Sequence, residues 1–267
     1  MKTIIKTAKW TIGILLAGYL AVCGYFYFAQ ESIIFPAKKL PADYQFVFTQ
    51  NFEERKLQMT DGTRLDGLLF RSDSSRGLIF YLHGNAGSLE TWGKIASAYT
   101  QLHYDIFMAD YRGYGKSEGK IISEEEVYSD EQALYNSLKK EYPENKIVIL
   151  GYSIGTGPAS WLASRNHPKM LILQAPYFNL TDLSQKTYPF LPGFLLKYKF
   201  QTNDYLSKTS APILIIHGNE DEVIYYGSSL KLQKCFKPGD KLIILKGQTH
   251  NGFTHNPDYL SALQSIL

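Results

Sequence analysis

Cysteine is scarce in this chain: 267 residues hold only Cys23 and Cys235. One lies in an apolar stretch near the N-terminus and the other far along the chain, so no disulfide framework supports the fold. Charge of one sign is also missing. The formal net charge is +3 and no five consecutive residues carry like charge, which leaves no basic tail or run for nucleic acid. The six histidines form no H-E-x-x-H or comparable ligand cluster, so no metal is implied. Internal repeats and low-complexity tracts are absent. What remains is a chain long enough, and at 45% hydrophobic residues apolar enough, to fold around an ordinary hydrophobic core. Its 20 Tyr and 15 Phe exclude disorder and leave aromatics for an apolar pocket.

The most conspicuous gap is in charge along the chain. No charged residue occurs from Trp10 to Gln30, a stretch of 21 residues, and about 20 apolar residues cross a bilayer core. A cleaved signal peptide would have an apolar region of about 7–15 residues and then a small-x-small site. Here Tyr25, Phe26, Tyr27 and Phe28 fill that end and read as an interfacial aromatic belt. "LAVC", ending at Cys23, places Val22 where a lipoprotein signal has a small residue. Residues 1–30 are therefore expected to be a single-pass membrane anchor, and 31–267 a separate domain. Lys2, Lys6 and Lys9 precede the span, so the N-terminus is expected in the cytoplasm and the domain on the trans side, in periplasm, exterior or lumen.

The rest of the chain alternates. Residues 44–70 suggest two or three antiparallel strands, with "TDG" at 60–62 as a hairpin turn. Six apolar runs follow: "GLIFYLHG", "DIFMADYRG", "KIVILGYS", "MLILQAP", "PILIIHG" and "KLIILKG". They are apolar without alternation, as strands buried on both faces are. Helical segments fall between them; Ser123 with Glu126 forms a capping-box pattern opening a helix over 123–142, and Asn256 followed by Pro257 opens the last. The expectation is an α/β fold, a mostly parallel sheet with helices on both faces. Between the fourth and fifth runs about 35 residues intervene, more than such a connection needs. That aromatic-rich stretch, 177–205, reads either as a helical crossover or as a small lid with apolar walls.

"GYSIGTGPAS" at 151–160 carries two readings. As a dinucleotide-binding turn it needs an acidic residue at the end of the next strand; that strand ends in Gln174. As G-x-S-x-G it is a nucleophile elbow, a strand-to-helix turn with Ser153 at its tip and small neighbours permitting the strained backbone. A serine nucleophile needs a base, and the base an orienting acid, in the order Ser, Asp or Glu, His in this fold. Asp221 lies just beyond the strand "PILIIHG", with Glu220 and Glu222 as rivals. His250 lies in the loop after "KLIILKG", with His255 as rival. All fall at C-terminal strand ends, where open α/β sheets bind ligands. Acyl transfer also needs an oxyanion hole: the backbone N–H of Ile154 is one expected donor, and that of Asn85, in "YLHGNAG", the other. His83 and His217 are expected to be structural. Arg112, in "DYRGYGKSEG", is expected to pair with a carboxylate and shape the pocket rim.

Taken in order, "HGNAG", "DYRGYGKSEG", "GYSIGTGPA", "HGNEDEVI" and "GQTHNGF" resemble the Bem46-like α/β-hydrolases, membrane-anchored members included, over roughly residues 30–267. The resemblance implies an α/β-hydrolase fold with Ser153 as nucleophile, Asp221 as acid, His250 as base and His83–Asn85 as the oxyanion loop. It also implies a cofactor-independent serine hydrolase acting on an ester or thioester of a small-molecule or lipid-like acyl group. A serine peptidase or amidase on the same fold is the alternative within enzymes, and a non-catalytic membrane-tethered binding protein the alternative outside them.

Overall fold

The computed structural model describes residues 2–267. Helix α1 (Lys2–Ile34) comes first and is long and apolar enough to cross a membrane. It runs past the boundary expected at residue 30 because nothing in 31–34 stops it. Pro36 then does, since a proline disfavours helical backbone in the residue before it, and Phe35 N–H still reaches Glu31 O at 2.9 Å.

Eight strands follow: β1 (Phe52–Gln58), β2 (Arg64–Phe70), β3 (Leu78–Leu82), β4 (Asp105–Ala109), β5 (Ile147–Tyr152), β6 (Met170–Gln174), β7 (Ile213–Gly218) and β8 (Lys241–Leu245). They form one sheet in the order β1-β2-β4-β3-β5-β6-β7-β8. β1 and β2 are the antiparallel hairpin expected around "TDG", with Gly62 at φ +87°. β2 also joins β4 antiparallel, and the remaining six strands are parallel throughout.

The helices after α1 are α2 (Leu89–Trp92), α3 (Ala96–Thr100), α4 (Glu124–Leu138), α5 (Thr156–Arg165), α6 (Leu180–Thr187), α7 (Thr202–Leu206), α8 (Gly227–Leu232) and α9 (Pro257–Ile266). Ser123 caps α4 by accepting the Glu126 N–H, and the Glu126 carboxylate reaches back to the Ile122 N–H. Asn256 caps α9 by accepting from Asp258 and Tyr259.

Both faces of the sheet are covered, which explains the unbroken apolar runs. In β5, Val148, Leu150 and Tyr152 pack with Tyr99 of α3 and with Tyr259 and Leu263 of α9. Their neighbours Ile147 and Ile149 point the other way, onto Leu134 and Leu138 of α4 and Leu162 of α5. Successive strand residues face opposite sides, so each needs an apolar side chain.

The topology positions the site. β3 sits between β4 and β5, so the connection leaving β3 goes to one side and that leaving β4 crosses to the other. The loops after β3 and β5 part there, leaving a crevice at the carboxyl edge. Above it lies the long β6–β7 connection, which carries α6 and α7 and docks on the C-terminal turns of α1: Gln30 donates to Leu195 O at 2.8 Å and accepts from Lys197 N–H at 2.8 Å.

Candidate active site

Ser153 stands at the first position after β5, where the strand must become a helix at once. Its φ is +52°, a left-handed conformation costing a non-glycine residue about 1–3 kcal/mol. The turn closes because its glycines have no Cβ. One on Gly151 would lie 2.6 Å from Gly155 O, and one on Gly155 would lie 2.3 Å from Leu82 O. The elbow thus rests directly on the end of β3. Tyr177 holds it from the other side: its hydroxyl donates to Ile154 O at 3.0 Å and accepts the Gly157 N–H at 3.1 Å.

His250, in the loop after β8, brings Nε2 to 3.0 Å from Ser153 Oγ. Its Nδ1 lies 2.7 Å from Asp221 Oδ2, in the loop after β7. Both Ser153 and His250 are buried. The partners assign the protons: a carboxylate only accepts, so Nδ1 carries the hydrogen, and Nε2 of the neutral ring accepts from the serine hydroxyl. Tyr152 steadies the loop by donating to His250 O at 2.8 Å.

Asp221 is the most heavily hydrogen-bonded group of the three. Oδ1 accepts the N–H groups of Val223 (2.9 Å) and Ile224 (2.7 Å). Oδ2 accepts from His250 and, at 3.1 Å, from His217 Nε2. His217 Nε2 also faces Ile224 O at 2.9 Å, so it must be the protonated nitrogen, and Nδ1 accepts from Ser229 Oγ at 2.6 Å. Burial works to raise the Asp221 carboxyl, but the bonds from His217, His250 and Ile224 outweigh it and hold the group well below the usual carboxylate range. The rivals are elsewhere. Glu220 and His255 are exposed, and Glu222 accepts the backbone N–H of His250 at 3.3 Å.

Asn85 and Ile154 border the same space as Ser153. They open with it onto a cavity of about 280 Å³. Ile154 lies in the first turn after β5, and first-turn N–H groups have no partner within the helix. The Asn85 loop is fixed by two tyrosines: Tyr114 Oη donates to Asn85 O at 2.7 Å and Tyr111 Oη to His83 O at 3.0 Å. His83 itself is buried against Trp92 and Tyr111 with Nδ1 at 2.7 Å from Gly84 O. Burial pushes its imidazole down to about 4, so it is neutral packing.

The cavity runs from Ser153 beneath α6 to Leu191, Pro192 and Leu195 of the long connection, and α1 contributes Phe26, Ile33 and Ile34. Its lining contains no charged side chain. Among the described residues no group of His, Cys, Asp or Glu is arranged to hold a metal ion.

Two expectations shift. Arg112 does pair with carboxylates, bidentate to Asp130 at 2.6 and 2.8 Å and with Asp61 at 2.6 Å and Glu126 at 2.9 Å. However, it lines a neighbouring depression and not the cavity at Ser153. His217 is more than a strand-end support, since it shares the carboxylate with His250. Its spacing of four from Asp221 is the available signal: the loop after β7 folds back on the strand's last residue but one.

The family described as "Serine aminopeptidase, S33" matches residues 73–199. Human alpha/beta hydrolase domain-containing protein 17B is 34% identical over 215 residues, covering 77% of this chain and 72% of that protein. Protein 17C of Xenopus tropicalis is 36% identical over 208 residues, 73% of this chain, and the match spans 63% of that relative's length. Two solved structures share the fold. An esterase of Pyrococcus furiosus superposes with TM-score 0.67 at 18% identity, covering 86% of this chain and 94% of the other. An α/β hydrolase of Vibrio vulnificus gives TM-score 0.68 at 22% identity, covering 81% of each.

Proposed function

The chain belongs to the Bem46-like α/β-hydrolases, and from that premise we propose that it is a membrane-tethered serine hydrolase cleaving an ester or thioester through an acyl-enzyme. The observation carrying this reading is the line Asp221–His250–Ser153, hydrogen-bonded at 2.7 and 3.0 Å. His250 takes the Ser153 proton as Oγ attacks the carbonyl carbon. Asp221 stabilises the imidazolium that forms. The N–H groups of Ile154 and Asn85 receive the oxyanion. His250 then protonates the leaving alcohol or thiol, and water attacks the acyl-enzyme by the same route in reverse.

The matched family's description also raises an aminopeptidase. The cavity lining supports an acyl group instead. An aminopeptidase must hold a free α-ammonium, which calls for a carboxylate, and none lines the cavity. A panel of p-nitrophenyl acyl esters, acyl thioesters and aminoacyl amides, run on the full chain and on Ser153→Ala, separates the readings. Ester or thioester turnover lost in the variant is the expected result. Turnover of the amides alone favours the peptidase. No turnover by a folded protein favours a tethered binding protein.

The anchor in this proposal is α1. With Lys2, Lys6 and Lys9 ahead of the span, the domain faces the trans side. Added protease should then digest the domain in intact cells whose surface layer has been opened. Protection there, with digestion only after lysis, overturns the sidedness.

A further inference from the structure

The β6–β7 connection contains a stretch, Tyr188–Leu195 ("YPFLPGFL"), without a charged residue. It lies along α1. Phe26 packs against Tyr188 and Phe190 at ring distances of 5.1 and 6.1 Å, and Tyr19 Oη donates to Phe190 O at 3.0 Å. The first charge after Lys9 on α1 is Glu31, which pairs with Lys197 at 3.1 Å. Tyr19 is twelve residues before Glu31, or about 18 Å along the axis at 1.5 Å per residue. The loop therefore reaches roughly 18 Å beyond the level at which charge begins, into the uncharged length of the helix.

Its side chains divide in two. Tyr188, Leu191 and Leu195 turn inward and line the cavity. Phe190 and Phe194 turn outward, 50% and 84% exposed. They continue the exposed apolar surface of α1, where Tyr25 and Phe28 are also bare. A water-facing loop gains nothing by displaying two phenylalanines. A patch this apolar and continuous with a spanning helix marks a membrane surface.

We propose that the 188–195 loop is embedded in the leaflet on the domain's side, with Phe190 and Phe194 among lipid acyl chains. The cavity beneath it then has its far wall inside the bilayer, so an acyl chain reaches Ser153 from the leaflet without crossing water. This rests on α1 being a membrane anchor, and the test separates the two.

Nitroxide labels are placed singly at Phe194→Cys, Phe28→Cys and Val47→Cys, in the full chain carrying Cys23→Ser and Cys235→Ser and reconstituted in phosphatidylcholine nanodiscs. Collision with oxygen, which concentrates in lipid, is compared with collision with a water-soluble nickel chelate. The expected pattern is lipid-type exposure at 194 and 28 and water-type exposure at 47. Water-type exposure at 194 with lipid-type at 28 overturns the proposal and leaves the anchor standing. Water-type exposure at both overturns the anchor and the proposal together.

A kinetic arm checks the consequence. Phe190→Glu with Phe194→Glu should raise KM for a long-chain ester presented in vesicles by about tenfold or more, given the cost of a carboxylate in lipid. It should leave kcat/KM for a soluble short-chain ester unchanged. Equal effects on both substrates, or none on either, contradict embedding.

Discussion

Replacing Asp221 by Asn changes one oxygen to an NH2 group and keeps the shape, so the effect follows from hydrogen-bond directions alone. Oδ1 faces two backbone N–H groups, Val223 and Ile224, which demand an acceptor. The amide oxygen must therefore stay there, and the NH2 must face His250 Nδ1 and His217 Nε2 in place of Oδ2. His250 can meet a donor only by leaving Nδ1 bare and carrying its hydrogen on Nε2, which then points at Ser153 Oγ. A protonated nitrogen cannot accept the serine proton, and the charge that stabilises the imidazolium is gone.

The expected loss in kcat is about 10³- to 10⁴-fold, ~4–5.5 kcal/mol of transition-state stabilisation. Stability should fall by about 1–3 kcal/mol, because His217 must also retreat from its bridge between Asp221 and Ile224 O. Since the folded carboxyl titrates below its ordinary value of 3.8, its stabilising contribution is fully present above that value. It is lost as pH falls toward the folded value, so the gap in Tm between wild type and variant should narrow below pH ~3.8. The assay is steady-state hydrolysis of p-nitrophenyl butyrate by the detergent-solubilised chain, with Tm measured alongside. Glu220→Gln and Glu222→Gln should retain activity. A loss below about tenfold in a folded Asp221→Asn, or a larger loss in either glutamate variant, refutes the assignment of the acid.

Gly155→Ala should destabilise the fold by about 2 kcal/mol or more, read by urea unfolding, because its Cβ would sit 2.3 Å from Leu82 O and 2.8 Å from His83 O; a change within error means the elbow can relax away from β3. Arg112→Lys should cost about 2 kcal/mol, since an ammonium cannot reproduce the paired bonds to Asp130, and specific activity per folded molecule should stay at the wild-type level. Asp110 is raised to about 8 by burial, so the folded state keeps its proton longer than the unfolded chain. Wild type should lose stability from this group as pH rises from about 4 to 8. Asp110→Asn removes that slope, so its Tm relative to wild type should climb between pH 5 and 8 and then level off. His83, lowered to about 4, gives the opposite slope below its ordinary 6.5 in both proteins; a difference that stays flat across this range contradicts a protonated Asp110.

What the sequence reveals follows from how local each constraint is. The six parallel strands were readable because burial on both faces forces a continuous apolar run, as in "KIVIL" between α4 and α5. Ser153, Asp221 and His250 stood out because each is a polar residue at a strand's C-terminal end, and the fold brings such ends together along one edge. Tyr177 and His217 were hidden for the opposite reason. A tyrosine gripping the elbow finds its partners 20 and 23 residues away, and a histidine sharing the carboxylate shows in sequence only a spacing of four, which gains meaning once the turn after β7 is formed. The same holds for Gln30, whose contacts lie 165 and 167 residues away. Nothing local says that a glutamine near the end of an apolar helix joins it to the cover of a cavity. Arg112 shows the converse: its pairing with carboxylates followed from a buried guanidinium needing charge, but which cavity it borders depends on topology.

If Ser153 is the nucleophile, active-site labelling must find it. The full chain, in detergent, is treated with a fluorophosphonate and the adduct mapped by mass spectrometry. One adduct is expected, on the peptide bearing Ser153, absent from Ser153→Ala and formed far more slowly in Asp221→Asn. Labelling that persists in a folded Ser153→Ala, or an adduct at another serine, would contradict it.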